Sequence, residues 1–291
     1  MTTYSGKTVK ENKASIVYTV DSYADGISFG KNRINSAETW RDELALDLLD
    51  EEDLLRFRRR FTLDSKNTIE NLECELMNLS ERGILSRAHI VLGTTTDPFF
   101  PFDNKFDCSM KFLSLFQRYI PGLLTVQTRS PLIVLAMPIL KKLGKHAAVT
   151  MCIETNDEDA IRRYTPGLPR AAERLKAARA LRSFGVDVTL QVAPVLPYGD
   201  WRKDAALFAE ELIGAGDSIY IRCLLDGANQ TVDRQQFKNV AKALARDRKF
   251  HWLRKDSANP LTTAIGVLSP EKLKLGSPIH LEERQLNMFA A

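Results

Sequence analysis

What this sequence lacks narrows its chemistry before any motif is weighed. Its four cysteines, Cys74, Cys108, Cys152 and Cys223, are scattered along 291 residues, in no spacing that a disulfide framework would use. That usage agrees with a reducing compartment. The four histidines, His89, His146, His251 and His280, show no zinc-type spacing. Neither G-x-x-x-x-G-K-[ST] nor H-E-x-x-H occurs, so phosphate-loop and zincin chemistries have nothing to stand on. There is no long uncharged apolar run to span a membrane. The polar start, Met1-Thr2-Thr3-Tyr4-Ser5-Gly6-Lys7, carries no apolar signal core, so a cytoplasmic location is expected.

What is present reads as a globular chain. Hydrophobic residues make up 44%, and 41 Lys and Arg stand against 37 Asp and Glu for a net charge of +4. So mild a basic excess permits nucleic-acid contact without arguing for it. A first strand is expected over Ser15-Ile16-Val17-Tyr18-Thr19-Val20, and charge-rich helical patterns over about 39–60 and 68–82. Beyond them, strands at 89–93, 123–128, 147–153, 186–195 and 218–225 alternate with helices at about 104–119, 131–143, 169–184 and 201–214. Alternation of this kind predicts βα units on a parallel sheet. Past Asp226 comes an amphipathic helix around 232–245, a strand-like His251-Trp252-Leu253 and a loop-rich end. One domain with a C-terminal extension from 227 is the simplest organisation.

Five segments carry a resemblance. His89-Ile90-Val91-Leu92-Gly93 leads into Thr94-Thr95-Thr96-Asp97-Pro98-Phe99-Phe100-Pro101. Then follow Leu124-Thr125-Val126-Gln127-Thr128-Arg129-Ser130-Pro131, and Arg163-Tyr164-Thr165-Pro166-Gly167-Leu168-Pro169 before Glu173-Arg174-Leu175. The series closes on Ala193-Pro194-Val195-Leu196-Pro197 with Asp200. In this order and spacing they resemble the spore photoproduct lyase-like branch of the radical SAM superfamily, over about 17–225. The resemblance implies an α/β fold, a partial (β/α)6 TIM-like barrel.

It also implies a cluster loop after the first strand, carrying C-x-x-x-C-x-x-C. The stretch 21–34 has that frame without the cysteines. Gly26 and Phe29-Gly30 fit the frame, and Ile27, Lys31 and Ile34 fall on the three cysteine positions. A 4Fe-4S cluster needs soft thiolate donors, and isoleucine has no donor atom. No metal is therefore expected there. By the same resemblance, Thr96, Arg129 and Cys152 occupy positions that contact the amino-acid part or ribose of S-adenosylmethionine (SAM). A threonine hydroxyl with Asp97 could take an ammonium, and Arg129 could pair with a carboxylate, which keeps SAM open as a ligand.

Each of these residues also has a plain structural reading. Thr96-Asp97-Pro98 is an ordinary strand-to-loop turn, Thr155-Asn156-Asp157-Glu158 can cap a helix, Cys152 can be core, and 193–197 can simply end a strand. Arg56-Phe57-Arg58-Arg59-Arg60-Phe61 mixes cations with aromatics as a nucleic-acid contact would, or forms a solvated helix face beside the acidic run before it.

The last segment, Gln285-Leu286-Asn287-Met288-Phe289, resembles the bacterial sliding-clamp-binding motif. Leu286, Met288 and Phe289 would be its apolar anchors and Gln285 its register residue. The leading expectation is a cluster-less radical SAM-fold protein, a binding or partner protein in a DNA-associated process, with a sliding clamp, nucleic acid or a cluster-bearing paralogue as partner. Two alternatives stand beside it. One is an active SAM-dependent lyase-type enzyme whose cluster is held by unusual ligands or a partner chain. The other is a barrel enzyme with cluster-free chemistry around Asp97, Arg129, Glu154 and Asp157.

Overall fold

The computed structural model describes residues 17–23, 26–32, 69–93, 97–99, 105–224 and 238–274. It begins with a hairpin, in which β1 (Val17–Tyr23) pairs antiparallel with β2 (Gly26–Asn32). Strands β3 (His89–Leu92), β4 (Leu123–Thr128), β5 (Ala147–Cys152), β6 (Asp187–Val192) and β7 (Ser218–Ile221) then add in parallel to the other side of β1. A two-residue β8 (Leu273–Lys274) closes the order β2-β1-β3-β4-β5-β6-β7-β8. From β1 through β3 to β8 the strands follow chain order in space, with β2 alone added on the far side of β1. A doubly wound sheet reverses its parallel order midway; these parallel strands do not, and right-handed crossovers, the rule for such units, put their helices on one side. The result is a partial (β/α)6 barrel that does not close, with β2 and β8 as extra edges.

The helices are α1 (Ile69–Glu81), α2 (Lys105–Phe116), α3 (Met137–Leu143), α4 (Glu158–Tyr164), α5 (Ala171–Ser183), α6 (Ala205–Ala215), α7 (Lys238–Arg246) and α8 (Asn259–Leu268). Each offers an apolar stripe at helical spacing, such as Leu72, Leu76 and Leu79 on α1 or Phe208, Ala209 and Leu212 on α6. These stripes meet Ile90, Leu92, Leu124, Val126, Val149, Met151, Val188 and Leu190 in one continuous core. Because strand side chains alternate, the residues between them face the concave side. Register aligns Val91 with Thr125, Gln127 with Thr150, and Thr150 with Thr189. The concave face is therefore polar and yet buried.

Several expectations need correction. The stretch read as a degenerate cluster loop is the β1–β2 hairpin. In Gly26–Asn32 the larger Ile27, Phe29 and Lys31 alternate with Gly26, Ser28 and Gly30, a period of two that suits a strand. His251-Trp252-Leu253 belongs to a 3-10 turn, Phe250–Leu253, and the loop-rich end contains α8. The helix expected from 232 is seen as α7, and α4 follows its cap at Asp157. The expected helix at 39–60 and the Arg56–Phe61 segment lie outside the described residues. Among the described residues, no helix is long and apolar enough to cross a membrane.

The C-terminal elements are tied to the barrel by Asp247, which accepts from Arg163 Nε and Nη2 at 2.8 Å each and from the Tyr164 hydroxyl at 3.2 Å. At the other end of that surface, Tyr198 packs edge-on to Trp252, ring centroids 4.9 Å apart.

Gly93 ends β3 with φ +91°, and a Cβ there would lie 2.5 Å from the Gln127 carbonyl oxygen and 2.6 Å from Pro98 Cδ. Gly93→Ala is expected to lower the unfolding free energy by about 2 kcal/mol or more, since a strained left-handed residue alone costs about 1–3 kcal/mol. Urea denaturation measures this; an unchanged midpoint would contradict the tight turn.

Candidate functional site

In parallel barrels the loops after the strands form the binding end, and here that end is filled by its own ion and hydrogen-bond network. Asp97 sits just beyond β3. Its Oδ1 accepts from the Phe99 amide at 2.9 Å and the Thr128 hydroxyl at 2.6 Å, and its Oδ2 from the Arg129 amide at 2.6 Å. The carboxylate thus joins the ends of β3 and β4. Thr128 Oγ1 in turn accepts from the Ser130 amide at 2.9 Å, and Ser130 Oγ from the Leu132 amide at 3.3 Å, starting the 3-10 turn Pro131–Ala136.

From β4 the network passes to β5. Buried Arg129 donates Nε to Glu154 Oε1 at 2.6 Å, and the other carboxylate oxygen takes Arg174 Nη1 at 2.6 Å. Arg174, projecting from α5, also donates Nη1 to the Cys152 carbonyl at 2.7 Å, while its Nε and Nη2 have no hydrogen-bond partner among the described residues. Burial alone would push the Glu154 carboxyl up, but the charges and hydrogen bonds of Arg174 and Arg129 outweigh it and hold it down to about 2. Glu154 is therefore an anion at any ordinary pH.

The loops after β5 and β6 close the mouth from the other side. The Leu196 amide donates to the Glu154 carbonyl at 2.9 Å, and the Thr155 hydroxyl to the Pro197 carbonyl at 2.6 Å. Asp157 Oδ1 accepts from the Asp159 and Ala160 amides at 2.8 and 3.3 Å, capping α4. Beyond this zipper lies a cavity of about 480 Å³ whose lining includes Asn156, Asp157, Tyr198, Asp204, Glu210 and Glu211.

The structure thus brings together Asp97, Arg129 and Glu154 and leaves Asp157 to a cap. Cys152 is buried, with Sγ 3.9 Å from Gln191 Oε1, which suits a core thiol. Thr96 lies outside the described residues, as do Ile34 and the tail residues Gln285, Leu286, Met288 and Phe289. Ile27 and Lys31 fall within β2, register partners of Ser22 and Tyr18. Arg174 was missed as a site residue. Its signals were its place in the resembling segment Glu173-Arg174-Leu175 and a charge opposite to Glu154 on a helix with a buried face. Another pattern also resolves here: Gly26-Ile27-Ser28-Phe29-Gly30 has the letters of the G-x-S-x-G nucleophile elbow. It lies wholly within a strand, not on the strand-to-helix turn that such a serine requires.

Among the described residues no three His, Cys, Asp or Glu converge on a metal position, and Cys74 is exposed on α1, far along the chain from buried Cys152. Asp97 and Arg129, the groups expected to meet SAM, both engage the strand ends through these hydrogen bonds.

No family model and no curated protein matches the chain. Its fold, an open partial barrel, is nevertheless one that solved proteins have. Solved structures of spore photoproduct lyase share it. One variant, with AdoMet and dinucleoside spore photoproduct bound, is 14% identical with a TM-score of 0.50, covering 74% of this chain and 70% of that one. A second variant is 13% identical with a TM-score of 0.50, covering 70% of this chain and 65% of that one. At such identities the likeness is one of fold.

The mouth network has a definite acid signature. Glu154 titrates at about 2 in the folded chain against an ordinary value of 4.5, so its contribution is complete above pH 4.5 and disappears as pH falls towards 2. The linked stability is roughly 3 kcal/mol. Glu154→Gln is expected to cost about 3–5 kcal/mol at pH 7, because two guanidiniums stay buried without their anion. Urea titrations at pH 7 and at low pH should show this difference shrinking in acid; a difference that does not change with pH would contradict the assignment.

Proposed function

We propose that this chain is a radical SAM-fold binding protein without a cluster, acting non-catalytically in a nucleic-acid-associated process. One observation carries the reading. The ionisable groups at the barrel's mouth are engaged with one another, and a paired strand lies where the resemblance puts the cluster loop. The nucleic-acid part rests on the likeness to spore photoproduct lyase, one structure of which holds a dinucleoside photoproduct. A paralogue that does carry a cluster is a natural partner for such a protein.

Anaerobic reconstitution with iron and sulfide tests the reading directly. A folded, colourless, metal-free protein is expected. About four irons per chain with a broad ~400 nm charge-transfer band, the mark of thiolate ligation, would overturn it and favour an active lyase-type enzyme.

The tail adds a second contact. Gln285-Leu286-Asn287-Met288-Phe289 offers the apolar anchors of a sliding-clamp ligand, which would bring the protein to sites of DNA synthesis. Replacing Leu286 and Phe289 together by alanine is expected to weaken binding of the full chain to the clamp at least tenfold in surface plasmon resonance, since buried anchors dominate such interfaces. Equal binding by the variant would remove the clamp from the account.

A further inference from the structure

The loop after β6 does more than end a strand. Trp201 lies flat on His251, ring centroids 4.0 Å apart and planes within 7°. Arg202 covers the Trp201 ring at 4.5 Å. This three-layer stack of cation, indole and imidazole joins the loop to the 3-10 turn Phe250–Leu253. Next to His251 in sequence, Phe250 leaves 59% of its surface in solvent. An exposed phenyl ring beside a half-buried aromatic stack is unusual for a surface with no partner.

Exposed cations gather around it. Lys203, Arg248, Lys249 and Lys255 are exposed, and none forms a salt bridge among the described residues. The nearby carboxylates are already in use: Asp247 accepts from Arg163, Asp256 from Arg254 at 2.7 Å, and Asp200 from the Arg202 and Lys203 amides at 2.9 and 3.4 Å. Arg248 has φ +56°, a conformation that favours glycine or asparagine, so an arginine stands there at some cost to the backbone.

Unpaired cations around stacked and exposed rings are the elements of a single-strand binding surface: phosphates meet the cations and bases stack on the rings. We infer that the rim formed by Trp201–Lys203 and Arg248–Lys255 binds single-stranded nucleic acid, with Phe250 as a stacking platform and the cations tracking the backbone. The carboxylates of the neighbouring cavity, Asp204, Glu210 and Glu211, bound this track on the α6 side and repel the strand from it. The inference deepens the nucleic-acid reading above and rests on it for biological sense, though not for its geometry.

Fluorescence anisotropy of the full chain with a labelled mixed-sequence oligonucleotide of about 20 nucleotides tests it, a length that spans a typical single-strand site. Single strands are expected to bind more tightly than the matching duplex, with quenching of tryptophan fluorescence. Phe250→Ala should weaken binding roughly tenfold, the loss of one stacked base. The double variant Lys203→Glu, Lys249→Glu should flatten the salt dependence by about 1.4 in log–log slope, two phosphate contacts at ~0.7 each. All three side chains are exposed, so circular dichroism should be unchanged. Binding that is the same in both variants, or equal for duplex and single strand with no effect of Phe250→Ala, overturns this surface and leaves the wider reading in place. No binding by any form at low salt overturns both.

Discussion

A single carboxylate holds the working end of this barrel together. Glu154, at the end of β5, lies between Arg129 from β4 and Arg174 from α5. Neither guanidinium could be buried there without it, since an unpaired buried charge costs several kcal/mol. Through the Arg129 backbone the same network reaches Asp97 and the end of β3, and through the Glu154 carbonyl it reaches the loop after β6. Four consecutive strand ends are therefore set by one chain of ion pairs and hydrogen bonds. Such contacts are strong when every member is satisfied and costly when one is removed.

That arrangement bears on function because the same residue types, left open, would make a site for a zwitterion. The chemistry of Asp97 and Arg129 does suit an ammonium and a carboxylate. Their geometry directs it inward instead, to a threonine hydroxyl, two backbone amides and a glutamate. The binding proposed for the molecule therefore rests on its margins, the basic and aromatic rim and the C-terminal pentapeptide.

Much of the fold was legible in the sequence because its signals were local. Leu123–Thr128 is a strand by composition and by its flanking turn residues, and the structure places it there without a shift. The order of βα units pointed to a parallel sheet, and chain-order pairing then distinguished a barrel from a doubly wound sheet, which sequence pattern alone could not do. What escaped was non-local or masked by a competing pattern. Gly26–Asn32 matched a loop frame letter by letter while its alternation made a strand. Glu154 and Arg174 are separated by twenty residues, and nothing in either segment announces the other. Phe250–Leu253 looks like a strand from its rings but turns as a 3-10 helix beneath Trp201. The Asp157 cap, in contrast, was a local signal, and the structure bears it out.

Amide hydrogen exchange across the strand ends is the most direct measurement of whether the mouth is a structural lock. Local openings report the stability of each segment separately. The account predicts that the Arg129 and Leu196 amides, donors within the network, exchange only with global unfolding and slow in parallel with the barrel core. Fast exchange at these amides, with the core still protected, would show a mouth that opens in the native state and would contradict the central claim.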